Sequence, residues 1–440
     1  MSPAIQRTTA TVWWSAVVLA VLWALVNSAA PYMAEASRLS GAFAPGADYG
    51  WALAFAIIFM GAMAAWPLPR ADKKHLLLLW AIKATVTLLF VPFYEAHYKG
   101  GLDAYMYFGV GALGHGQLLP MKFGDGTANM IGLVRGLTQV LPAYLHLLEM
   151  IWSFAGLVAV YLFYRGWRWL MPQLDARALL WIGLFPGILF WSSILGKDPI
   201  TLLGVGMYFC AIAHGYASGN KRWLLLALLG IAIAAFIRPW YGLILTAPLV
   251  AYGLLGRRLR PWQKAVLIVL VAVGTMFAMQ RFLNNFQIDD SADLVATSNQ
   301  VAHSWAYGGS GQETQQFHGM AGMLAFMPFG AFTALFRPLP GEGSGFMLFA
   351  GLENVVLLIL FARALWRMPL RSLRNPWIAW VVLLLLVWAA MYAFPSAQNL
   401  GTAVRFKLAV MPILWPLLLL GALRKPWSGL VPLRKGVART

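Results

Sequence analysis

The chain has 440 residues, of which 60% are hydrophobic and only 11% charged, and its mean hydropathy is +0.69. Soluble domains carry roughly 25% charged residues, so a water-soluble globule is excluded. The formal net charge of +18 would by itself suggest a nucleic-acid partner, but the order of the charges along the chain points away from one.

Apolar stretches recur down the sequence and predict an all-α, polytopic transmembrane protein of about twelve spans, each roughly long enough to cross ~30 Å of hydrocarbon. They fall near 12–30, 51–66, 76–93, 144–164, 178–195, 199–216, 223–237, 241–255, 264–280, 346–366, 377–394 and 406–423. The first is too long for a signal-peptide core, and Pro31 directly follows Ser28-Ala29-Ala30, so it is expected to be a retained anchor. Trp13, Trp51, Trp66, Trp223 and Trp377 fall near span ends, where an interfacial belt is expected. The single Cys210 lies in an apolar run and reads as a small core residue.

With the N-terminus in the cytoplasm, every inner segment is basic: Arg7; Arg70, Lys73 and Lys74; Arg165, Arg168 and Arg177; Lys221 and Arg222; Arg257, Arg258, Arg260 and Lys264; Arg363, Arg367, Arg371 and Arg374; and Arg424, Lys425, Arg434, Lys435 and Arg439. These hold most of the 33 basic residues, the bias that sets membrane orientation. Both termini are therefore expected inside, with 424–440 as a basic cytoplasmic tail. The chain reads as one integral-membrane domain, 1–440, without an internal repeat. Its two long outer loops are 94–143 and 281–345, and apolar stretches in them, such as Gly319–Leu335, are expected to lie along or dip into the interface.

The densest polar cluster is Tyr94–Gly111, YEAHYKGGLDAYMYFGVG. Asp103 is its leading candidate for a general base, since a carboxylate near the bilayer boundary can take a proton from a hydroxyl. The plainer alternative pairs it with Lys99, four residues earlier, across a helical turn. Glu95 and His97 are further candidates for the same role, and Tyr98, Tyr105 and Tyr107 could supply stacking faces or hydroxyls.

Eleven basic residues fall outside the inner loops: Arg38, Lys83, Lys99, Lys122, Arg135, Lys197, Arg238, Arg281, Arg337, Arg405 and Lys407. Lys197 (GKDP), Arg238 (IRPW), Arg337 (FRPLP) and Arg405 (NLGTAVRFK) stand at expected outer helix ends. A bound polyanion would explain them, because guanidinium forks grip phosphate oxygens bidentately; snorkelling to headgroups is the plainer reading. Asp198 could neutralise Lys197 or cap the helix that Pro199 opens. In the second long loop His303 is a candidate base, while Asp289, Asp290 and Asp293 read as a solvated face or a divalent-ion site. Glu353 falls inside an expected span and requires a buried partner.

Gly109–Gly114 matches a dinucleotide fingerprint only in letters, without a strand before it. The histidines show no zinc spacing, and no nucleophile elbow is present. No metal or cofactor is required.

The acidic-plus-tyrosine outer loop (GGLDAYMY), the GKD hairpin turn, and later arginines in RP and NLGTAVR contexts resemble bacterial membrane proteins of polysaccharide gene clusters. These are the GT-C glycosyltransferases that use lipid-linked sugars, and the related O-antigen polymerases (Wzy-type). The resemblance spans residues 90–415 and rests on short motifs. It implies an inner-membrane enzyme acting on undecaprenyl-linked sugars at the periplasmic face. On it, Asp103 looks like the catalytic outer-loop acid, with Glu95 or His303 as substitutes. Arg238, Arg337 and Arg405 look like diphosphate-binding arginines, joined by Lys99, Tyr105, Lys197 and Asp198 as substrate-binding candidates. Two departures favour the polymerase branch: Asp103 follows the third expected span rather than the first, and the chain ends soon after its last span, where many GT-C enzymes carry a soluble domain. The expected function is polymerisation of polyprenyl-diphosphate-linked oligosaccharide units, with glycan donor and acceptor, lipid and other assembly proteins as partners. A monosaccharide transferase using a polyprenyl-phosphate sugar and a lipid-linked glycan flippase remain open.

Overall fold

The computed structural model describes residues 3–41, 44–99, 102–220, 222–255, 260–305, 311–313, 315–343 and 345–423; the basic tail 424–440 lies outside them. The first half comprises α1 (Pro3–Leu39), α2 (Pro45–Ala65), α3 (Arg70–Thr85), α4 (Val91–Tyr98), α5 (Asp103–Gly111), α6 (Gly126–Thr138), α7 (Leu145–Leu170), α8 (Ala178–Gly183), α9 (Pro186–Trp191) and α10 (Lys197–Ser218). The second half comprises α11 (Trp223–Ile237), α12 (Trp240–Thr246), α13 (Val250–Leu255), α14 (Pro261–Phe286), α15 (Ser291–Trp305), α16 (Met320–Phe336), α17 (Phe346–Arg367), α18 (Pro376–Gln398), α19 (Leu400–Phe406) and α20 (Met411–Leu423). Among the described residues there is no strand, only an isolated bridge between Gly311 and Asn399.

Among the described residues, seven helices are long and apolar enough to cross a membrane: Pro45–Ala65, Arg70–Tyr98, Leu145–Leu170, Lys197–Ser218, Pro261–Asn284, Met347–Arg367 and Pro376–Gln398. The protein is thus all-α and membrane-embedded. An eighth crossing is made if Leu400–Ala409 and Met411–Gly421, bent by 79°, count as one. Arg70–Tyr98 is a single 29-residue rod in which a π turn, Val86–Phe90, joins α3 to α4. Pro92 follows that turn by two residues. Its ring would strike the Leu88 carbonyl in a regular α-helix, and the wider turn relieves the clash.

The departures from the expected spans have backbone causes. The stretch 178–195 is not one crossing but two six-residue helices, α8 and α9. Phe185 precedes a proline and is driven to an extended conformation (ψ 123°), so the helix restarts at Pro186. Arg238 precedes Pro239 and is likewise extended (ψ 101°), which places the break between the expected spans 223–237 and 241–255. The helical stretches on either side, Trp223–Ile237 and Trp240–Leu249, are shorter than full crossings. Pro412 cannot donate into the turn before it, which fixes the bend ahead of α20. The stretch expected at the interface in the second long loop forms α16 and packs against α18, with Gly330 so close that a Cβ would meet the Ala393 carbonyl at 2.8 Å.

Helices α7, α10 and α11 form the centre through small residues, as membrane bundles must where backbones touch. A Cβ on Gly206 of α10 would lie 3.0 Å from the Ala159 carbonyl oxygen on α7, and one on Gly204 would lie 2.6 Å from that of Gly230 on α11. Trp377 is only 1% exposed and stacks on Trp380 beside Trp167 and Phe209, so it belongs to the core rather than the expected belt. Trp13, Trp51 and Trp66 are exposed and Cys210 is buried, as expected.

Candidate functional site

The helix interruptions after Trp191, at Arg238 and at Asn399 border a common cavity of about 2380 Å³. Its apolar flank includes Phe90, Trp181, Leu184, Phe349 and Leu352, all of them exposed. The cavity is therefore a groove open along an apolar flank. Arg177 and Trp415 also line it; Asp103, Lys197, Arg238 and Arg405 gather in one part of it, its head.

The head is assembled from residues distant in sequence. Asp198, 4% exposed, uses both carboxylate oxygens. Oδ1 accepts a hydrogen bond from Arg238 Nη2 at 2.8 Å, and Oδ2 accepts one from Arg405 Nε. One buried acid thus holds two guanidinium groups side by side against their mutual repulsion, and burial without it would be prohibitive. Arg405 Nη1 reaches onward to Asp103 Oδ2 at 3.2 Å. That contact is loose, and the Asp103 side chain is 48% exposed. Aromatic faces complete the cradle: Arg238 lies 5.1 Å from the Phe406 ring and Arg405 lies 5.9 Å from the Trp191 ring.

Local geometry fixes each group. Gly196 is fully extended (φ −171°) ahead of α10, which places Lys197 and Asp198 in the first helical turn. Lys197 Nζ donates to Thr127 Oγ1 at 2.9 Å and sits 6.0 Å from the Tyr107 ring. Thr127 belongs to α6, whose start is pressed onto α11: a Cβ on Gly126 would lie 2.3 Å from the Ile237 carbonyl oxygen. Asn129 pins the loop before it, with Nδ2 donating to Lys122 O at 2.7 Å and to Phe236 O at 2.6 Å. Asn399 caps α19 by accepting from Thr402 N at 3.0 Å, which orients the short helix bearing Arg405.

Five residues singled out from sequence thus meet at one point: Asp103, Lys197, Asp198, Arg238 and Arg405. Their formal charges sum to a small positive excess, and Asp103 is the one carboxylate there that solvent reaches readily. The head can accept an anion by exchanging Asp103 for phosphate oxygens on Arg405.

Of the remaining candidates, His97 and Tyr98 also line the groove and Tyr107 lies beside Lys197, while the others are elsewhere. Lys99 ends α4 in a left-handed conformation (φ 50°), so the helix breaks between it and Asp103, and Arg405 is the partner of Asp103 instead. Tyr105 turns away from the groove and donates to Ala36 O on α1 at 3.3 Å. Arg337 pairs with Glu342 within its own loop (Nη2–Oε1 2.8 Å) and does not line the cavity. Glu95 faces inward, into a sealed cluster with His146. The side chain of His303 lies outside the described residues. Asp289, Asp290 and Asp293 form a local cap, in which Asp293 Oδ2 accepts from Asp289 N at 3.0 Å and Asp290 Oδ1 from Asp293 N at 2.8 Å. Glu353 finds its partner in the Gly187 N–H (2.9 Å) rather than in an arginine.

Sequence reasoning missed Thr127, Asn129 and Asn399, which bind nothing recognisable in sequence and act by holding other residues. It also missed Asp48, His146 and Glu149, although His146 and Glu149, three residues apart in a helical stretch, share one face. No protein-family profile, curated protein or solved structure matches the chain.

Proposed function

We propose that this chain is a bacterial inner-membrane glycosyltransferase of cell-surface polysaccharide assembly, and that it polymerises polyprenyl-diphosphate-linked oligosaccharide units at the periplasmic face. The observation carrying this reading is the pairing of a groove open along an apolar flank with a head in which Asp198 clamps Arg238 and Arg405 beside Asp103. A long prenyl chain fits the groove and a diphosphate fits the head.

In this mechanism the donor diphosphate engages Arg405, Arg238 and Lys197 and displaces Asp103 from Arg405. The released Asp103 carboxylate then accepts the proton of the acceptor hydroxyl. The acceptor oxygen bonds to the donor's anomeric carbon as the bond from that carbon to the phosphate oxygen breaks. The prenyl diphosphate leaves with the electron pair, and its growing charge is met by cations already in place. Because one guanidinium serves both partners, donor binding frees the base.

The test replaces the cell's own copy with Asp103→Asn, Arg238→Ala or Arg405→Ala, with membrane abundance measured alongside. Well-expressed variants that accumulate single lipid-linked repeat units and lose long chains support the reading; persistence of long chains in all three defeats it. Transport of a lipid-linked glycan is a second reading, favoured by the reach of the groove to Arg177. Repeat units stranded on the cytoplasmic leaflet would select it.

A further inference from the structure

Away from the groove, Asp48 on α2, Glu95 on α4 and His146 and Glu149 on α7 converge in the interior, and all four are 0% exposed. Asp48 grips His146 at two points: its Oδ1 accepts the His146 backbone N–H at 3.0 Å, and its Oδ2 faces Nδ1 at 2.6 Å. Ser37 donates to the same Oδ2 at 3.0 Å. With Nδ1 carrying the proton, His146 presents the lone pair of Nε2 to Glu95 Oε2, 3.1 Å away. Two acceptors at that separation need a cation to join them, a proton or a metal ion, and Tyr49 Oη, 2.9 Å from Nε2, is another donor within reach.

Glu149 makes the point independently. Its two carboxylate oxygens and Glu95 Oε1 have no partner in good hydrogen-bonding geometry, although the Glu95 carboxyl and the Leu195 backbone N–H are close polar neighbours of Glu149. Among the described residues no lysine or arginine pairs with Asp48, Glu95 or Glu149. Three carboxylates and one imidazole in a sealed, low-dielectric interior would be costly to keep ionised without a counter-ion, so the cluster takes up either protons or a metal cation.

We propose that Glu95, His146 and Glu149 bind a divalent cation of the zinc or manganese type, with Asp48 orienting the histidine. The candidate ligand atoms all lie within 4.8 Å of one another. Ligands bound at ~2.0–2.1 Å in a tetrahedron stand about 3.3 Å apart, so the Glu95–His146 pair is already spaced for binding and rotation of the Glu149 side chain closes the set. One imidazole with two carboxylates suits zinc or manganese, and the absence of thiolates disfavours copper(I). A carboxylate holding the far nitrogen of a metal-bound histidine is the usual outer support of such sites. The ion would pin α2, α4 and α7 together. Tyr94 and His97, on either side of Glu95 in α4, line the groove, so the ion would also hold that wall in place.

The test is elemental analysis of tag-free protein purified in detergent, paired with thermal unfolding. The expected result is stoichiometric zinc or manganese, a midpoint that falls by several degrees on chelation, and recovery on adding back Zn²⁺ or Mn²⁺ alone. Glu149→Gln, which keeps the side-chain shape, should abolish both metal retention and the metal-dependent shift. Protein isolated without metal whose midpoint neither ion raises would overturn the proposal and leave protons as the neutralising charge. Metal retained undiminished in Glu149→Gln would also overturn it, by locating the ion elsewhere. Should that variant fail to accumulate, the unmodified protein alone decides between the first two results.

Discussion

The protein holds two charged clusters, one at the groove head and one in the interior, and they differ in how each balances its charge. At the groove head, Asp198 meets Arg238 and Arg405 directly, and the one loosely held acid, Asp103, is half exposed. In the interior, Asp48, Glu95 and Glu149 face a single imidazole and are sealed from bulk solvent. The first cluster is neutralised by protein and keeps one exchangeable contact, as a site for a passing ligand requires. The second is short of positive charge and has no opening, as a site for a resident ion requires.

Removing the shared anchor should separate them most sharply. Asp198→Asn leaves two adjacent guanidinium groups without their acid, at a cost of about 3–5 kcal/mol for a broken buried pair. We expect a strong fall in the unfolding midpoint together with loss of long polysaccharide chains, while metal content is unchanged. Arg405→Ala should lower polymerisation by roughly 10²–10³-fold, the scale for removing one preorganised donor to developing charge. Polymer length in membranes carrying equal amounts of protein measures it.

Asp103→Asn should abolish elongation with almost no thermal effect, since an exposed pair contributes only about 0–1 kcal/mol. A large drop in midpoint would mean that Asp103 is structural and would remove it from the mechanism. The smallest effect belongs to the ordinary surface pair of Arg337 and Glu342. Burial raises the Glu342 pKa, but hydrogen bonds from Arg337 and the Leu339 backbone outweigh it and hold the carboxyl below its usual range. Its contribution is therefore present above the usual glutamate range and lost as pH falls through the depressed folded value. Glu342→Gln should cost well under about 1 kcal/mol after solvent screening, and the gap from the unmodified protein should close in acid.

What the sequence disclosed followed from composition and from misplaced charge. Hydropathy alone establishes a helical membrane protein, and the stranded cations Lys197, Arg238 and Arg405 marked the groove head because a charge at an outer helix end requires a reason. The count of crossings was less legible. Hydropathy does not register that Phe185 precedes a proline, and that peptide unit turns the apolar run 178–195 into two short helices. Arg337 has the same local signature as Arg238, and only the fold reveals that Glu342, five residues on, satisfies it. The interior cluster was missed because its members lie on three helices, and no local pattern announces that they meet.

The opening of the groove along its apolar flank also bears on how a ligand arrives. On the proposed reading, an amphiphile with an apolar tail would enter through the flank formed by Phe90, Trp181 and Phe349 without leaving the bilayer. Its search is confined to a plane, so occupancy follows its density per area of membrane rather than its concentration in water. Diluting the vesicles in buffer should therefore leave turnover unchanged, whereas diluting the same ligand with inert lipid should slow it.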